Sequence, residues 1–118
     1  MEIWFNPACS KCRVATEAFD EAGVTYTLRR YLDDPPSREE LADVLDRLGL
    51  EPWDITRTNE PDAEDVGLSG VPKDAEHREQ WLDALVAHPR LIQRPIITAD
   101  DGTTVVGRDP ESLARVLP

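Results

Sequence analysis

The stretch Ile3-Trp4-Phe5-Asn6-Pro7-Ala8-Cys9-Ser10-Lys11-Cys12-Arg13-Val14 decides the fold. Ile3 to Phe5 is a short apolar run that reads as a buried strand, and the turn pair Asn6-Pro7 ends it. From about Cys9 a helical pattern takes over. Val14, Ala15, Ala18, Phe19 and Ala22 recur at three- and four-residue spacings, and Gly23 suits the C-terminal stop. Val24, Tyr26 and Leu28 then alternate with polar residues, which predicts a second strand. Together these make a β-α-β unit, whose two strands run parallel with a right-handed crossover.

Asp33 to Pro36 reads as a turn, and Ser37 with Glu40 forms a capping box for the next helix. Leu41, Val44, Leu45 and Leu48 give that helix its apolar stripe, and Gly49 ends it. The stretch from about Leu50 to Lys73 is ambiguous, with short helical turns around Pro61 to Val66. A further helix is expected from near Asp74 to His88, with Trp81, Leu82 and Leu85 inward. Pro95 to Thr98 and Thr103 to Val106 read as strands joined by a tight Asp101-Gly102 turn, hence an antiparallel hairpin. Asp109 and Pro110 look like the N-cap and first position of a last helix, with Leu113, Val116 and Leu117 on its inner face. The order β-α-β, helical insert, β-β-α is that of an α/β thioredoxin-like fold. It implies a mixed four-stranded sheet flanked by helices, with a helical insertion between the two halves, in a single domain over residues 1–118.

The 118 residues suffice for one compact domain, and 40% hydrophobic residues allow a real core. Asp and Glu outnumber Lys and Arg by 24 to 13, a formal net charge of -11, so nucleic acid and anionic lipid are repelled. No apolar run approaches the roughly 20 residues of a membrane span, and no secretory signal opens the chain. A cytoplasmic protein is expected, a monomer by default, with thiols kept reduced. The only cysteines are Cys9 and Cys12. A disulfide between them would close a tiny loop, so redox chemistry is a more natural use than structural stapling.

Cys9 falls where a strand and turn have ended and a helix begins. Unpaired N–H groups and the positive dipole end there stabilise a thiolate. Lys11 and Arg13 add positive charge nearby, and Cys12, three residues on, is within reach for a disulfide. The competing readings are a pair of inert thiols or a zinc half-site. A single C-x-x-C with His77 and His88 far along the chain is a poor zinc site, and no metal is expected. Arg94-Pro95 at the start of the third strand is the second signal. Arg57 and Arg108, taken alone, read as solvated arginines.

In order, these residues resemble the glutaredoxin-linked arsenate reductase family over essentially the whole chain. Asn6-Pro7-Ala8-Cys9 with Arg13 matches its active-site loop. Tyr31-Leu32, Pro35-Pro36-Ser37-Arg38 and Glu40-Leu41 match its second-strand exit. Arg57 with Asn59-Glu60-Pro61, Gly67-Leu68, His88-Pro89, Arg94-Pro95-Ile96 and Arg108 complete the set. The resemblance implies that Cys9 attacks arsenate or a similar oxyanion held by Arg57, Arg94 and Arg108, with Asn6, Arg13 and a cis Pro95 in support. It implies no bound cofactor, and an external reductant that is glutaredoxin, thioredoxin or a small thiol.

Two positions depart from the family pattern. Phe5 stands where His is frequent, and Cys12 where Ser is common. A C-x-x-C at this place is typical of Spx-type transcription regulators, which share the fold, use the pair as a redox switch and bind RNA polymerase. The closing Arg115-Val116-Leu117-Pro118 is also similar to theirs. An Arg at all three oxyanion positions, Arg108 above all, favours the enzyme, with Cys12 as its resolving thiol. The alternatives are an Spx-like regulator and a general thiol-disulfide oxidoreductase.

Overall fold

A computed structural model describes all 118 residues. The chain divides into two compact units, one of Met1–Asp34 with Arg94–Pro118, the other of Pro35–Gln93.

The first unit is built on the sheet. Its strands are β1 (Glu2–Trp4), β2 (Thr27–Arg29), β3 (Ile96–Thr98) and β4 (Thr104–Val106), in spatial order β2-β1-β3-β4. β1 pairs parallel with β2 and antiparallel with β3, and β3 pairs antiparallel with β4. The sheet is therefore mixed, as its sequence order predicts. Helix α1 (Ser10–Glu21) links β1 to β2, and a helix at the C-terminus, Pro110–Val116, follows β4. Ile3, Ile97 and Val105 share one row across the sheet and pack with Cys12, Ala15 and Phe19 of α1 and with Leu113 and Val116. Burial of this apolar row is the main stabilising term in the unit.

Two details differ from the periodicity of the sequence. β2 starts at Thr27 rather than Val24, because Glu2–Trp4 pairs only with Thr27–Arg29. Val24 is taken up by the end of α1: its N–H donates to Phe19 O (3.0 Å) and Gly23 N–H to Asp20 O (3.1 Å), with Gly23 at φ 69°. That is a Schellman stop, and Val24 belongs to it. On α1 the buried stripe is Cys12, Ala15 and Phe19, whereas Val14 is 53% exposed and Ala22 faces solvent. At about 100° per residue Val14 falls opposite that stripe, so Cys12 takes the place at its head. Leu28, on the sheet's edge strand, is 43% exposed.

The second unit is helical, with α2 (Arg38–Leu48), α3 (Pro61–Asp65) and α4 (Arg78–Ala87) joined by 3-10 turns; the C-terminal helix Pro110–Val116 is accordingly α5. The capping box of α2 is complete: Ser37 Oγ accepts from Glu40 N–H (3.1 Å) and Glu40 Oε1 from Ser37 N–H (3.0 Å). Arg38 forms ion pairs with Glu79 and Asp83 of α4. Trp81, Leu82 and Leu85 are buried, as their spacing predicts. The predicted Asp74–His88 helix begins instead with a 3-10 turn at Ala75–His77, capped by Asp74. The ambiguous stretch holds a 3-10 turn at Pro52–Ile55 and the short α3.

Candidate active site

Strand register gathers the chemistry at one end of the sheet. β1 and β2 run parallel, so both C-terminal ends lie together, and Phe5 N–H donates to Arg29 O (2.8 Å) to tie the two exits. Trp4 pairs with Ile96 in the antiparallel β1–β3 ladder, which puts the residues before Ile96 at that same end. Ile96 pairs with Val106, which puts the residues after Val106 there as well. The loop carrying Cys9, the turn carrying Tyr31, Arg94 and Arg108 all emerge at this edge.

Cys9 is the N-cap of α1, in extended conformation (φ -93°, ψ 122°). The approach to it is fixed by Asn6, which is buried. Its Oδ1 accepts from Ala8 N–H (3.0 Å) and its main-chain carbonyl from Cys9 N–H (3.0 Å), a local turn of the kind Asn side chains favour. Partial burial pushes the Cys9 thiol up. A hydrogen bond from Arg94, the Cys12 and Lys11 backbone N–H groups and the Cys12 thiol together outweigh that burial, lowering the pKa from 9.0 to about 7. These are the unpaired donors of a helix start acting on a thiolate. Arg13 is exposed, and neither it nor the Lys11 side chain is among the groups acting on Cys9.

Cys12 has the opposite character. It is fully buried, and both cysteines are free thiols. Burial pushes its pKa up to about 11; the Asn6 backbone opposes this and the Cys9 charge reinforces it. The pair is thus asymmetric, one thiol ionised near neutrality and its neighbour held protonated.

Arg94 precedes Pro95 through a cis peptide bond. Burial disfavours its charge, but its interactions with Cys9 and Tyr31 raise its pKa overall. Its Nε is buried without a hydrogen-bond partner. Arg108 has an exposed side chain whose Nη1 donates to the Arg94 carbonyl oxygen (2.7 Å), and the neighbouring Gly107 N–H donates to Pro95 O (2.8 Å). A Cβ at Gly107 would lie 2.4 Å from Ile97 Cδ1, so the absence of a side chain lets β4 close against β3. The structure therefore brings Cys9, Cys12, Asn6, Arg94, Pro95 and Arg108 together in the first unit. Arg57 belongs to the second unit, where its Nη1 donates to Glu60 Oε1 (2.5 Å) and its N–H to Leu91 O (2.6 Å).

Sequence reasoning passes over Tyr31 as a site residue. It is fully buried and is among the groups that raise the Arg94 pKa. The available signal was a tyrosine in the turn after β2, followed by Asp33 and Asp34; its inward direction depends on the β1–β2 pairing. No group of three or more His, Cys, Asp or Glu side chains gathers to hold a metal ion.

Comparison with known proteins agrees with this geometry. An uncharacterized protein in the glnII region of Streptomyces viridochromogenes is 61% identical over 117 residues, covering 99% of this chain and 98% of that one. An arsenate reductase of Neisseria meningitidis is 35% identical over 118 residues, covering 99% and 97%. The solved arsenate reductase from Vibrio cholerae superposes with a TM-score of 0.87 at 31% identity, covering 99% of this chain and 98% of that one. The model of the ArsC family matches residues 4–116. With a thiol and guanidinium at the helix start and a match over nearly its whole length, the chain belongs to the ArsC family.

Proposed function

We propose that the chain is a thiol-dependent arsenate reductase in which Cys9 attacks the arsenic of a bound oxyanion. The observation that carries this reading is the Cys9–Arg94 pair. A thiol with its pKa lowered to about 7 meets a guanidinium that keeps a buried, unpartnered N–H. Arsenate is tetrahedral and anionic, so it calls for several N–H donors at once. Arg94 and Arg108 provide guanidinium groups, and the first turn of α1 provides backbone N–H groups. The similarity to arsenate reductases of known name supports the choice of arsenate over other oxyanions.

The chemistry takes three steps. The Cys9 thiolate bonds to arsenic(V), an As–O bond breaks, and the oxygen leaves as water after taking up protons. Cys12 then attacks the Cys9 sulfur. A disulfide forms, the S–As bond breaks, its electron pair stays on arsenic, and arsenite departs as arsenic(III). An external thiol reductant, glutaredoxin, thioredoxin or a small thiol, returns two electrons to the disulfide. Once Cys9 is consumed in the adduct, its thiolate charge no longer raises the Cys12 pKa. The attack in the first step therefore prepares the resolving thiol for the second. This cycle suits a monomer in the reducing cytoplasm and needs no bound cofactor.

Reductant preference tests the role of Cys12. Cys12→Ser is expected to shift arsenite production from dithiol toward monothiol reductants. A mutant with wild-type preference would remove Cys12 from the cycle. Arsenite from neither protein under any reductant would favour the Spx-like regulator, for which the adjacent thiols are the supporting feature.

A further inference from the structure

We propose that the reduced Cys9–Cys12 pair is a binding site for trivalent arsenic, which it holds as a cyclic dithiolate. Cys9 is the N-cap of α1, and Cys12 stands three residues on, within its first turn. Side chains at that spacing share one helix face, with Cβ atoms about 5–6 Å apart. Cys9 packs against the apolar cluster that contains Cys12, Phe5 and Ala15, so both sulfurs border one patch. Both are free thiols, and no other cysteine occurs in the chain. Cys9 is partly open to solvent, whereas Cys12 is 0% exposed. An incoming ligand therefore meets Cys9 first and reaches Cys12 only once it is attached.

The number and kind of donors select the ligand. A structural zinc takes four ligands, and no group of three or more His, Cys, Asp or Glu side chains gathers in the chain. Trivalent arsenic forms three bonds and prefers sulfur, so two thiolates and one hydroxide complete it. Phe5, 9% exposed, borders the pair with carbon rather than with a nitrogen or oxygen donor, which favours a soft centre. An arsenic atom between two sulfurs also spans a wider gap than a direct S–S bond of about 2.05 Å. Chelation changes no oxidation state. Two As–O bonds of arsenous acid break and two As–S bonds form. Both oxygens leave as water, one taking the Cys12 thiol proton and the other a proton from Cys9 or, where Cys9 is ionised, from solvent. Attachment at Cys9 makes the second bond intramolecular, which raises the effective concentration of Cys12. A Cys9–Cys12 disulfide offers no thiol, so only the reduced protein binds. The binding stands on the thiol pair alone. Its kinetic consequence, product inhibition that competes with arsenate for Cys9, rests on the reductase reading.

The test uses protein reduced with a phosphine, so that no small thiol competes. Arsenite is titrated in and binding is read by intact-protein mass spectrometry and by protection of Cys9 from iodoacetamide. One arsenic per chain is expected, with the mass of arsenous acid less two waters. Cys12→Ser is expected to bind about tenfold or more weakly. Phenylarsine oxide, whose third arsenic bond is to a phenyl group, should show the same dependence on Cys12. A folded Cys12→Ser that binds either probe as wild type does would overturn the proposal. X-ray absorption at the arsenic edge decides it on the unmutated protein, should that variant fail to fold. Two sulfurs and one oxygen per arsenic are expected; one sulfur with two oxygens would contradict the chelate. Chelation without arsenate turnover would sink the reductase reading and leave the site standing. Turnover with arsenite held by Cys9 alone, or not held at all, would do the reverse.

Discussion

Three residues apart in sequence, Cys9 and Cys12 are separated in acidity by the fold: one at a helix N-cap in contact with Arg94, the other at the head of the apolar stripe of α1. Only the first has a pKa near neutrality. Iodoacetamide reactivity of Cys9 should rise with a midpoint at about pH 7, while Cys12, at about 11, stays inert over the same range. A Cys9 midpoint at the ordinary 9 would remove the basis of its activation. Arg94→Ala deletes the strongest favourable contact of the thiolate. It is expected to raise the Cys9 midpoint and to cut arsenite production at least tenfold, since charge-assisted hydrogen bonds contribute about 1.5–3 kcal/mol. Unchanged kinetics would exclude Arg94 from the site. Arg108 bonds the Arg94 carbonyl and is not among the groups acting on Cys9. Arg108→Ala should therefore lower kcat/KM for arsenate while the Cys9 midpoint stays in place, a separation that steady-state kinetics and alkylation can read side by side.

At the scale of elements, what could be read from the sequence was what local chemistry determines. Gly23, the Ser37-Glu40 box, Asp101-Gly102 and Asp109-Pro110 each mark an element boundary found in the structure. Features set by distant pairing escaped. Val24 reads as strand by alternation, yet the β1 register puts it in the helix stop. The turns between Leu50 and Lys73 depend on partners far along the chain. Arg57 N–H donates to Leu91 O (2.6 Å) and Trp81 Nε1 to Pro72 O (3.0 Å). Cys9 and Arg94 stood out because each lies beside a strand end. Arg108 alone reads as a solvated arginine and enters only through the family resemblance, and the burial of Tyr31 is visible only once its turn is seen to face inward. Two boundary devices give stability predictions. Ser37→Ala should cost about 1 kcal/mol in denaturant unfolding by removing the cap of α2. Gly107→Ala forces a Cβ toward Ile97 and Leu113 and should cost about 1–3 kcal/mol. A neutral result there would mean that β3 and β4 pack less closely than the structure has them.

For the whole molecule, a net charge of -11 opposes an anionic substrate, and the site answers it locally. Arg94 and Arg108 meet at one end of the sheet, next to backbone N–H groups that carry partial positive charge. Self-repulsion of the excess carboxylates should also make the melting temperature rise as salt is raised from about 10 mM to 150 mM, because the Debye length shortens from about 30 Å to 8 Å. A falling melting temperature would mean that surface ion pairs outweigh the repulsion. No helix is long and apolar enough to cross a membrane. The central claim is that Cys9 reduces an oxyanion with Cys12 as its resolving partner, and a single turnover tests it most directly. Fully reduced protein is mixed with arsenate in the absence of other thiols, and arsenite and free thiols are counted, with Cys9→Ser as control. One arsenite per chain with loss of both thiols, and none from the mutant, is the predicted result; arsenite from Cys9→Ser, or none from wild type under these conditions, would contradict it.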